Sequence, residues 1–302
     1  MPFTPADLGF TVASTGEGGV GQPGWSKRCG AYDVTFRRLS SLPELEPVEA
    51  LQRVVFAGIT DLDLVAAGML VVVPETGGEV LGAFVTTPDG EELVGFVIGW
   101  GGYVDGRPRI LSDMLGVRPG FRGVGLGAEL KKLQAAVAVA SGFVEIVWTV
   151  DPLRAASARL NFEKLGAYAD TYEIDRYGSG FAADLYGGMP TDRLHVTWPL
   201  LAETVRERLM HPVSARARLD IAGTPAFNPE AGGFAIEVLV PMPSDIDALL
   251  ASDPDAALTW RYALRRALVP AFDQGYAVTG FAPAIEQRTD PALVLTRVRT
   301  SS

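Results

Sequence analysis

The sequence predicts an α/β fold of the α+β kind, in which a mixed, mostly antiparallel sheet is flanked by helices. A hairpin signal stands in the first half of the chain, and a strand leads into a glycine-rich loop and a helix near the middle. A β-α-β-β pattern follows in the last third. A hairpin makes its two strands antiparallel, whereas two strands joined through a helix can be parallel, so the sheet should be mixed.

In the first half, apolar periodicity defines each element. Tyr32 to Leu39 alternates apolar and polar residues and predicts a strand, and Leu42 to Phe56 has helical spacing. Val80–Thr86 and Glu91–Ile98 predict two strands joined around Pro88-Asp89-Gly90, a strong hairpin signal.

The middle of the chain predicts a strand, a loop and a helix in succession. A β-type run covers Arg109 to Val117, and the glycine-rich stretch up to Ala128 follows it. The next helix carries one apolar stripe, formed by Leu126, Leu130, Leu133 and Val137. A strand over Phe143 to Thr149 comes next, and then a helix that ends at Leu165 with Gly166 as its cap.

The last third predicts strands at Glu237–Pro241, Tyr276–Ala282 and Ala292–Arg297, with an amphipathic helix over Pro254 to Phe272. On that helix Arg261, Arg265 and Arg266 are interpreted as a solvated polar face, with an anion site as the alternative. The chain thus divides into a flexible or draped tail (1–31, containing the glycine run Gly16 to Gly21), a core (32–200) and an extension packed on the core (201–302).

Composition excludes several classes of function. A net charge of −10 argues against nucleic acid as the main partner, because phosphate backbones require clustered Lys and Arg. The only cysteine, Cys29, cannot form an intrachain disulfide and is typical of a reducing compartment. Neither a signal peptide nor an apolar run of about 20 residues is visible, so we expect a cytoplasmic protein without a membrane partner.

The glycine-rich loop predicts a site for pyrophosphate. Glycines let backbone N–H groups approach phosphate oxygens, and the N-terminus of the following helix favours negative charge. A P-loop would need Gly-Lys-Ser/Thr at the helix start, where the chain has Gly127-Ala128-Glu129. A dinucleotide remains an alternative because Gly123-x-Gly125-x-x-Ala128 fits a permissive fingerprint, although Asp151 follows the next strand too late for the ribose.

Two motifs resemble the GNAT acetyltransferase superfamily, which binds acyl-CoA. Val117-x-Pro119-x-x-Arg122-Gly123-x-Gly125-x-Gly127 is similar to its acyl-CoA loop, and Asn161-Phe162-Glu163-Lys164-Leu165-Gly166-Ala167 is similar to its second signature. Trp148-Thr149-x-Asp151-Pro152-Leu153 and Thr191-Asp192-Arg193-x-x-Val196-x-Trp198 resemble a longer subfamily, some of whose members are linked to N-succinylation of amino acids. The resemblance implies a GNAT-like sheet and a β-α-β-β extension beyond the family core.

The resemblance also implies the residues that bind the cofactor. Main-chain groups near the end of the central strand would serve the acyl carbonyl and the pantetheine, and the loop would hold the pyrophosphate. The implied residues are Leu115, Gly116, Val117, Arg122, Gly123, Val124, Gly125, Leu126, Gly127, Ala128, Ser157, Asn161 and Lys164. Arg154 and Arg159 are candidates for a substrate carboxylate or a CoA phosphate, with exposed helical arginines as the alternative.

For catalysis, Asp113 is the candidate general base. Strand alternation puts it on the face of Leu111, Leu115 and Val117, where desolvation would raise its pKa; a solvent-side or substrate-binding Asp is the alternative. The family's frequent tyrosine acid is replaced by Phe162, so Asn161 is a candidate polar partner, or the thiolate leaves unaided.

The sequence therefore predicts a metal-free N-acyltransferase that moves an acetyl or succinyl group from acyl-CoA to a small-molecule amine. The favoured acceptor is an amino acid, which attacks the thioester directly in a ternary complex. His195 and His211 lack partners at ligand spacing, so no metal is expected. The alternatives are a CoA-binding regulatory protein without turnover and a nicotinamide-dependent oxidoreductase. By analogy with the family, the protein can be a homodimer.

Overall fold

The computed structural model describes residues 3–13, 24–56, 58–178, 180, 186–211, 223–230, 235–285 and 288–297. The chain forms two compact units. The first combines Met1–Val147 with Pro199–Met210, and the second combines Trp148–Trp198 with His211–Ser302. Both units are discontinuous in sequence, so their bounds differ from the predicted division after residue 200. The glycine run Gly16 to Gly21 lies outside the described residues.

The described residues contain twelve strands and seven helices. The strands are Thr11–Ala13 (β1), Gly24–Cys29 (β2), Tyr32–Arg38 (β3), Glu79–Thr87 (β4), Gly90–Val104 (β5), Arg107–Val117 (β6), Glu145–Val150 (β7), Tyr168–Glu173 (β8), Arg193–Pro199 (β9), Glu237–Pro241 (β10), Tyr276–Ala282 (β11) and Ala292–Arg297 (β12). The helices are Leu42–Val55 (α1), Ala67–Leu70 (α2), Leu126–Ala140 (α3), Ala155–Ala158 (α4), Glu203–Met210 (α5), Ile246–Ser252 (α6) and Pro254–Asp273 (α7). The predicted α/β class is confirmed, with element bounds that shift by a few residues.

The sheet of the first unit runs in the order β1-β2-β3-β4-β5-β6-β7. All neighbours up to β6 are antiparallel, including the predicted hairpin of β4 and β5, whose turn pairs Thr87 with Gly90. β7 joins β6 in parallel over Arg109–Leu111 and Glu145–Val147. The predicted mixed, mostly antiparallel sheet is therefore confirmed, and the helix α3 makes the parallel crossover.

Apolar stripes of α1 and α3 form the core of the first unit. Leu45, Val48 and Leu51 of α1 are buried, as are the four predicted stripe residues of α3. Each fully buried leucine contributes about 1.5–3 kcal/mol relative to exposure, so packing on the sheet rather than helix propensity stabilises these helices.

The N-terminal segment is not a tail in the part that the structure describes. β2 pairs with β3 in antiparallel register, and Phe3, Phe10 and Cys29 are buried. The rings of Phe10 and Phe36 meet edge to face with their centroids 5.4 Å apart. The prediction of a flexible tail is therefore wrong for these residues. A few aromatic side chains pack them against the unit, although the surrounding sequence is rich in glycine, serine and threonine.

The second unit has a sheet with the order β9-β8-β11-β12-β10. All of its neighbours are antiparallel, and the strands predicted in the last third are confirmed as β10, β11 and β12. β11 pairs with β8 through Val278 and Ala169, so the C-terminal extension continues the sheet that begins before residue 200. The predicted long helix is α7, whose Leu264 and Leu268 are buried.

The predicted solvated face of α7 is wrong for two of its three arginines. Arg261 is fully buried and donates two hydrogen bonds to Asp151, of 2.8 and 2.9 Å. Arg265 binds Asp192 with distances of 2.7 and 2.9 Å, whereas Arg266 is exposed as predicted. The carboxylate partners lie 110 and 73 residues away, so helical periodicity alone could not reveal them.

Candidate active site

The glycine-rich loop joins the end of β6 to the start of α3. A short 3-10 turn, Pro119–Phe121, opens it, and Gly125 is the N-cap of α3. Gly123 has a φ of +83° and Gly125 a φ of +92°, a backbone region that residues with a Cβ avoid. The chain thus needs glycine at these two positions to turn into the helix.

This turn leaves main-chain donors without partners. Within the part of the chain that the structure describes, the amides of Gly123, Val124 and Gly125 donate to no acceptor, and the first helical bonds reach the Gly125 carbonyl from Ala128 and Glu129. A Cβ placed on Gly123 or Gly125 would meet no atom within 4 Å. Open space therefore lies next to adjacent N–H donors at a helix N-terminus, where an anion is stabilised.

The edge of β6 that faces β7 is paired over only part of its length. The parallel register ends at Leu111, and β6 continues to Val117 with β5 on its other side. The Arg118 amide donates to Val94 of β5, so by alternation Gly116 points its main chain to β5 while Leu115 and Val117 point theirs away. Of the three predicted main-chain groups, the structure thus leaves those of Leu115 and Val117 on the outer edge.

The glycine at position 116 has a packing cause. A Cβ there would lie 2.5 Å from the ring of Phe96, the residue opposite it on β5. Gly127, which was predicted from the same loop motif, has room for a Cβ at ordinary contact, 3.7 Å from Leu115 and Val117. Gly116 is thus required by the fold, independently of any ligand.

The side chain of Arg122 fastens the loop. Its Nε donates to the carbonyl of Val117 over 3.1 Å, and its Nη2 donates to the carbonyl of Val55, the last residue of α1, over 3.0 Å. The guanidinium therefore connects the end of β6, the loop and the C-terminus of α1. The Arg122 charge lies at the C-terminus of α1, where the negative end of the helix dipole stabilises it.

Asp113 is not buried as predicted. It is exposed, and its neighbour on the same face, Leu111, is 49% exposed. The register between β5 and β6 skips Asp113, because Ile98 is opposite Met114 and Gly99 is opposite Ser112. The Trp100 indole donates to the Asp113 carboxylate over 3.2 Å. The desolvation argument for Asp113 is thus wrong, since Ser112 is the side chain that points into the unit.

The second signature lies in the second unit on a short helix. α4 continues as a π-helical turn over Arg159–Lys164, with Leu165 donating to the carbonyl of Leu160. Asn161 is buried and Ser157 half-buried, while Lys164 is exposed. Phe162, at the family's tyrosine position, is fully buried in the apolar interior and has no proton to donate.

The two arginines predicted near this helix both have acidic neighbours. Arg154 pairs with Asp247 over 2.8 Å, and Arg159 pairs with Glu163 one turn along the helix over 3.1 Å. Arg154 is the N-cap residue of α4. These pairs reduce the charge that either arginine can offer to a ligand.

A buried polar cluster lies beneath α3 in the first unit and was not found from the sequence. The Lys131 ammonium donates to Ser112 Oγ and Gln134 Oε1, both over 2.9 Å. Glu79 of β4 is buried beside them, and its Oε1 has no hydrogen-bond partner among the described residues. Burial raises the pKa of Glu79 to about 8 and lowers the pKa of Lys131 to about 7.

Replacing Glu79 by glutamine is expected to stabilise the protein at high pH. Because the pKa of Glu79 rises on folding from its ordinary 4.5 to about 8, ionising it opposes folding, and stability is lost as pH rises through that window. Relative to the parent, E79Q should gain at least about 2 kcal/mol in free energy of unfolding between pH 4.5 and pH 8. Urea unfolding at several pH values measures this. E75Q, at an exposed glutamate, is the control, and a pH-independent difference for E79Q contradicts the prediction.

The only cysteine is unsuited to covalent catalysis. Cys29 is buried, and burial raises the pKa of its thiol to about 11, so the nucleophilic thiolate is scarce at neutral pH. Among the described residues, no group of three or more His, Cys, Asp or Glu side chains could hold a metal ion. In the same part of the chain, every helix is too short or too polar to cross a membrane.

The loop and the strand edge lie in a segment that matches a known family. Unpartnered amides at the start of α3 follow a strand whose outer edge is partly free. Residues 63–167 match the model of the acetyltransferase (GNAT) family. This segment, about a third of the chain, is therefore a GNAT acetyltransferase domain.

Solved structures show similar chains. A chain of the NatC complex bound to Gag peptide and CoA is 16% identical, with a TM-score of 0.44. The match covers 55% of the present chain and 98% of the NatC chain. The ribosomal-protein-S18-alanine N-acetyltransferase of Escherichia coli is 17% identical (TM-score 0.42, 55% of this chain and 94% of that chain). Naa50 of Arabidopsis thaliana, in complex with the bisubstrate analogue CoA-Ac-MVNAL, is 16% identical (TM-score 0.41, 54% and 97%). No curated protein matches this chain. At these scores the likenesses carry no conclusion about its substrate.

Proposed function

We propose that this protein transfers an acetyl or succinyl group from acyl-CoA to the amino group of a small molecule, with an amino acid as the favoured acceptor. The observation that carries the proposal is the run of unpartnered amides at Gly123, Val124 and Gly125 at the start of α3, where a Cβ on either glycine would meet no atom within 4 Å. The pyrophosphate of CoA carries acceptor oxygens that such donors bind, and the nearby Arg122 charge adds to the attraction.

The outer edge of β6 supports the placement of the thioester. During transfer the amine nitrogen attacks the thioester carbonyl, a C–N bond forms, the C–S bond breaks and the thiolate leaves. Negative charge that develops on the carbonyl oxygen needs N–H donors. The amides of Leu115 and Val117 point to this edge and are the proposed donors to the acyl group and the pantetheine.

Asp113 is the proposed acceptor of the ammonium proton, now as an exposed carboxylate oriented by Trp100. D113N is expected to lower kcat by about 100- to 10,000-fold because general-base catalysis contributes on this order. The Kd for acetyl-CoA should stay within about twofold. D89N, at an exposed aspartate in the β4–β5 turn, is the matched control. An unaltered kcat and pH–rate profile in D113N removes Asp113 from the reaction.

No proton donor is assigned to the leaving thiolate. Phe162 is apolar and buried, so we propose that the thiolate departs unprotonated, as its low basicity allows. The alternative is that Asn161, which is buried on the same helical turn, serves as its polar partner. The same observation favours a second candidate function, a protein that binds CoA without turnover. A cytoplasmic location and a homodimer stay predictions.

Calorimetric titration with acetyl-CoA, succinyl-CoA and NADH tests the proposal. We expect the CoA esters to bind and NADH to give no heat, and the tighter ester identifies the donor. Release of thiol when amino acids are added then separates an acyltransferase from a CoA-binding protein. Binding of NADH alone contradicts the proposal and favours the dinucleotide interpretation.

A further inference from the structure

The turn between β2 and β3 contacts the glycine-rich loop of the same unit. Gly30, the first residue of that turn, has a φ of +58°, and a Cβ placed on it would lie 3.0 Å from the Cβ of Val124. Val124 carries one of the three amides that donate to no acceptor. The β2–β3 hairpin, which begins in the segment predicted as a tail, therefore lies directly beside the proposed pyrophosphate site.

Both cations of β2 are paired with carboxylates. The Lys27 ammonium lies 2.6 Å from the carboxylate of Glu129 in the first turn of α3, and Lys132 pairs with the same carboxylate over 2.9 Å. Arg28 pairs with Asp33 over 3.0 Å. The two lysines compensate an acid that would otherwise repel an anion at the start of the helix. With its cations engaged in this way, β2 leaves recognition of a ligand to uncharged groups of the hairpin.

An aromatic pair joins the hairpin to the loop. Tyr32 is the first residue of β3, and Phe121 stands two positions before Gly123. Their ring centroids are 4.9 Å apart, and the ring planes are tilted by 54°. Phe121 is half-buried, whereas Tyr32 is 37% exposed. Part of the aromatic surface therefore remains open to solvent next to the loop.

The pair lies at a suitable spacing from the free amides. Because Phe121 and Gly123 are two residues apart, their Cα atoms are at most about 7.6 Å from each other. In CoA a single ribose separates the pyrophosphate from the adenine. A nucleotide whose phosphates bind the loop amides thus has its base within reach of these rings. Adenine is flat and uncharged, and such bases stack on aromatic side chains.

We propose that Tyr32 and Phe121 bind the adenine ring of CoA, an inference that rests on the acyl-CoA-dependent function proposed above. Both residues, the loop and the start of α3 belong to the first unit. The hairpin then has two roles at the site. It compensates the acid at the helix start through Lys27, and it presents an aromatic surface to the base through Tyr32.

Calorimetric titration of the parent, Y32L and Y32F with three ligands tests the proposal. Acetyl-CoA carries the whole cofactor, ADP carries the adenosine and a diphosphate, and S-acetyl-4′-phosphopantetheine lacks the adenosine. Y32L keeps an apolar side chain but removes the flat ring, so the affinities for acetyl-CoA and ADP should fall by about 5- to 100-fold, the order that base–aromatic stacking contributes. The affinity for the phosphopantetheine ester should stay within about twofold of the parent. Y32F keeps the ring and should bind all three ligands as the parent does.

The matched control is Y103L, at a 76% exposed tyrosine of β5 in the same unit, which should leave all three affinities unchanged. Urea unfolding checks that Y32L keeps its fold, and F121L, with the same expected pattern, decides the question if Y32L does not fold. Parent-like binding of acetyl-CoA and ADP by Y32L, or an equal loss for all three ligands, overturns the proposal.

The two proposals can fail separately. Binding of ADP that depends on Tyr32, without binding of acetyl-CoA, counts against the acyl-transfer function and leaves the adenine site in place. Binding of acetyl-CoA that is insensitive to both Y32L and F121L counts against the adenine site and leaves the acyl-transfer function in place. A parent that binds neither ligand overturns both.

Discussion

Replacing Gly125 by alanine is expected to weaken acetyl-CoA binding by about 30- to 100-fold. Gly125 adopts a φ of +92°, which costs a residue with a Cβ about 1–2 kcal/mol. Relief of that strain would move the neighbouring amides. In addition, the new methyl group would occupy open space beside Gly125, where we propose that the pyrophosphate binds.

Calorimetric titration of G125A with acetyl-CoA measures the effect, and circular dichroism checks that the fold is kept. Because no atom lies within 4 Å of the new Cβ, the fold should survive. The matched control is G120A, in the same loop, where a Cβ also meets open space and φ is not in the left-handed region. Parent-like affinity in G125A would show that phosphates do not bind at the start of α3.

Replacing Asp151 by alanine is expected to lower the free energy of unfolding by about 3–5 kcal/mol. The change leaves the Arg261 guanidinium buried without its partner, and breaking a buried pair in this way is strongly destabilising. It also removes the acceptor of the hydrogen bond that the Leu153 amide donates to Asp151, which fixes the chain between β7 and α4. Urea unfolding of the parent and the variant measures the loss.

A double-mutant cycle separates the pair from its surroundings. D151L combined with R261M should recover most of the stability, since two apolar side chains of similar size leave no charge unpaired. R266M, at the exposed arginine of the same helix, is the control. A loss of less than about 1 kcal/mol in D151A, or equal losses in the single and double variants, contradicts the prediction.

The pair of Asp151 and Arg261 also makes the free energy of unfolding depend on pH in the acidic range. Burial alone would raise the pKa of Asp151. The charge and hydrogen bonds of Arg261, together with the Leu153 amide and the charge of Arg193, outweigh burial and hold that pKa below its ordinary value of 3.8. A lowered pKa stabilises the folded state above that value, and the stabilisation is lost as pH falls through the folded pKa. The difference between the parent and D151A should therefore shrink below about pH 4.

Local features of the chain could be predicted well. The turn from β6 to α3 depends on glycines next to one another in sequence, and the apolar stripe of α3 depends on helical spacing. The hairpin of β4 and β5 follows from a short turn between two apolar runs. In each case the decisive interactions join residues a few positions apart.

Predictions about burial and charge pairing were less successful. Asp113 shares a strand face with Leu111 as expected, yet that face is exposed, and Ser112 contacts α3 instead. Periodicity predicts which residues share one face of a strand, but it does not predict which face is covered by the rest of the fold. The burial of the described N-terminal residues has the same origin, because a few aromatic residues find distant partners.

The sequence by itself determined the order of elements, the glycine-rich loop and the family match of residues 63–167. Each of these features depends on residues that lie close together in the sequence. Only the tertiary structure decided which charges are compensated. Arg261 and Arg265 find carboxylates 110 and 73 residues away. Burial makes an unpaired charge costly, and both burial and pairing arise only when distant segments pack together.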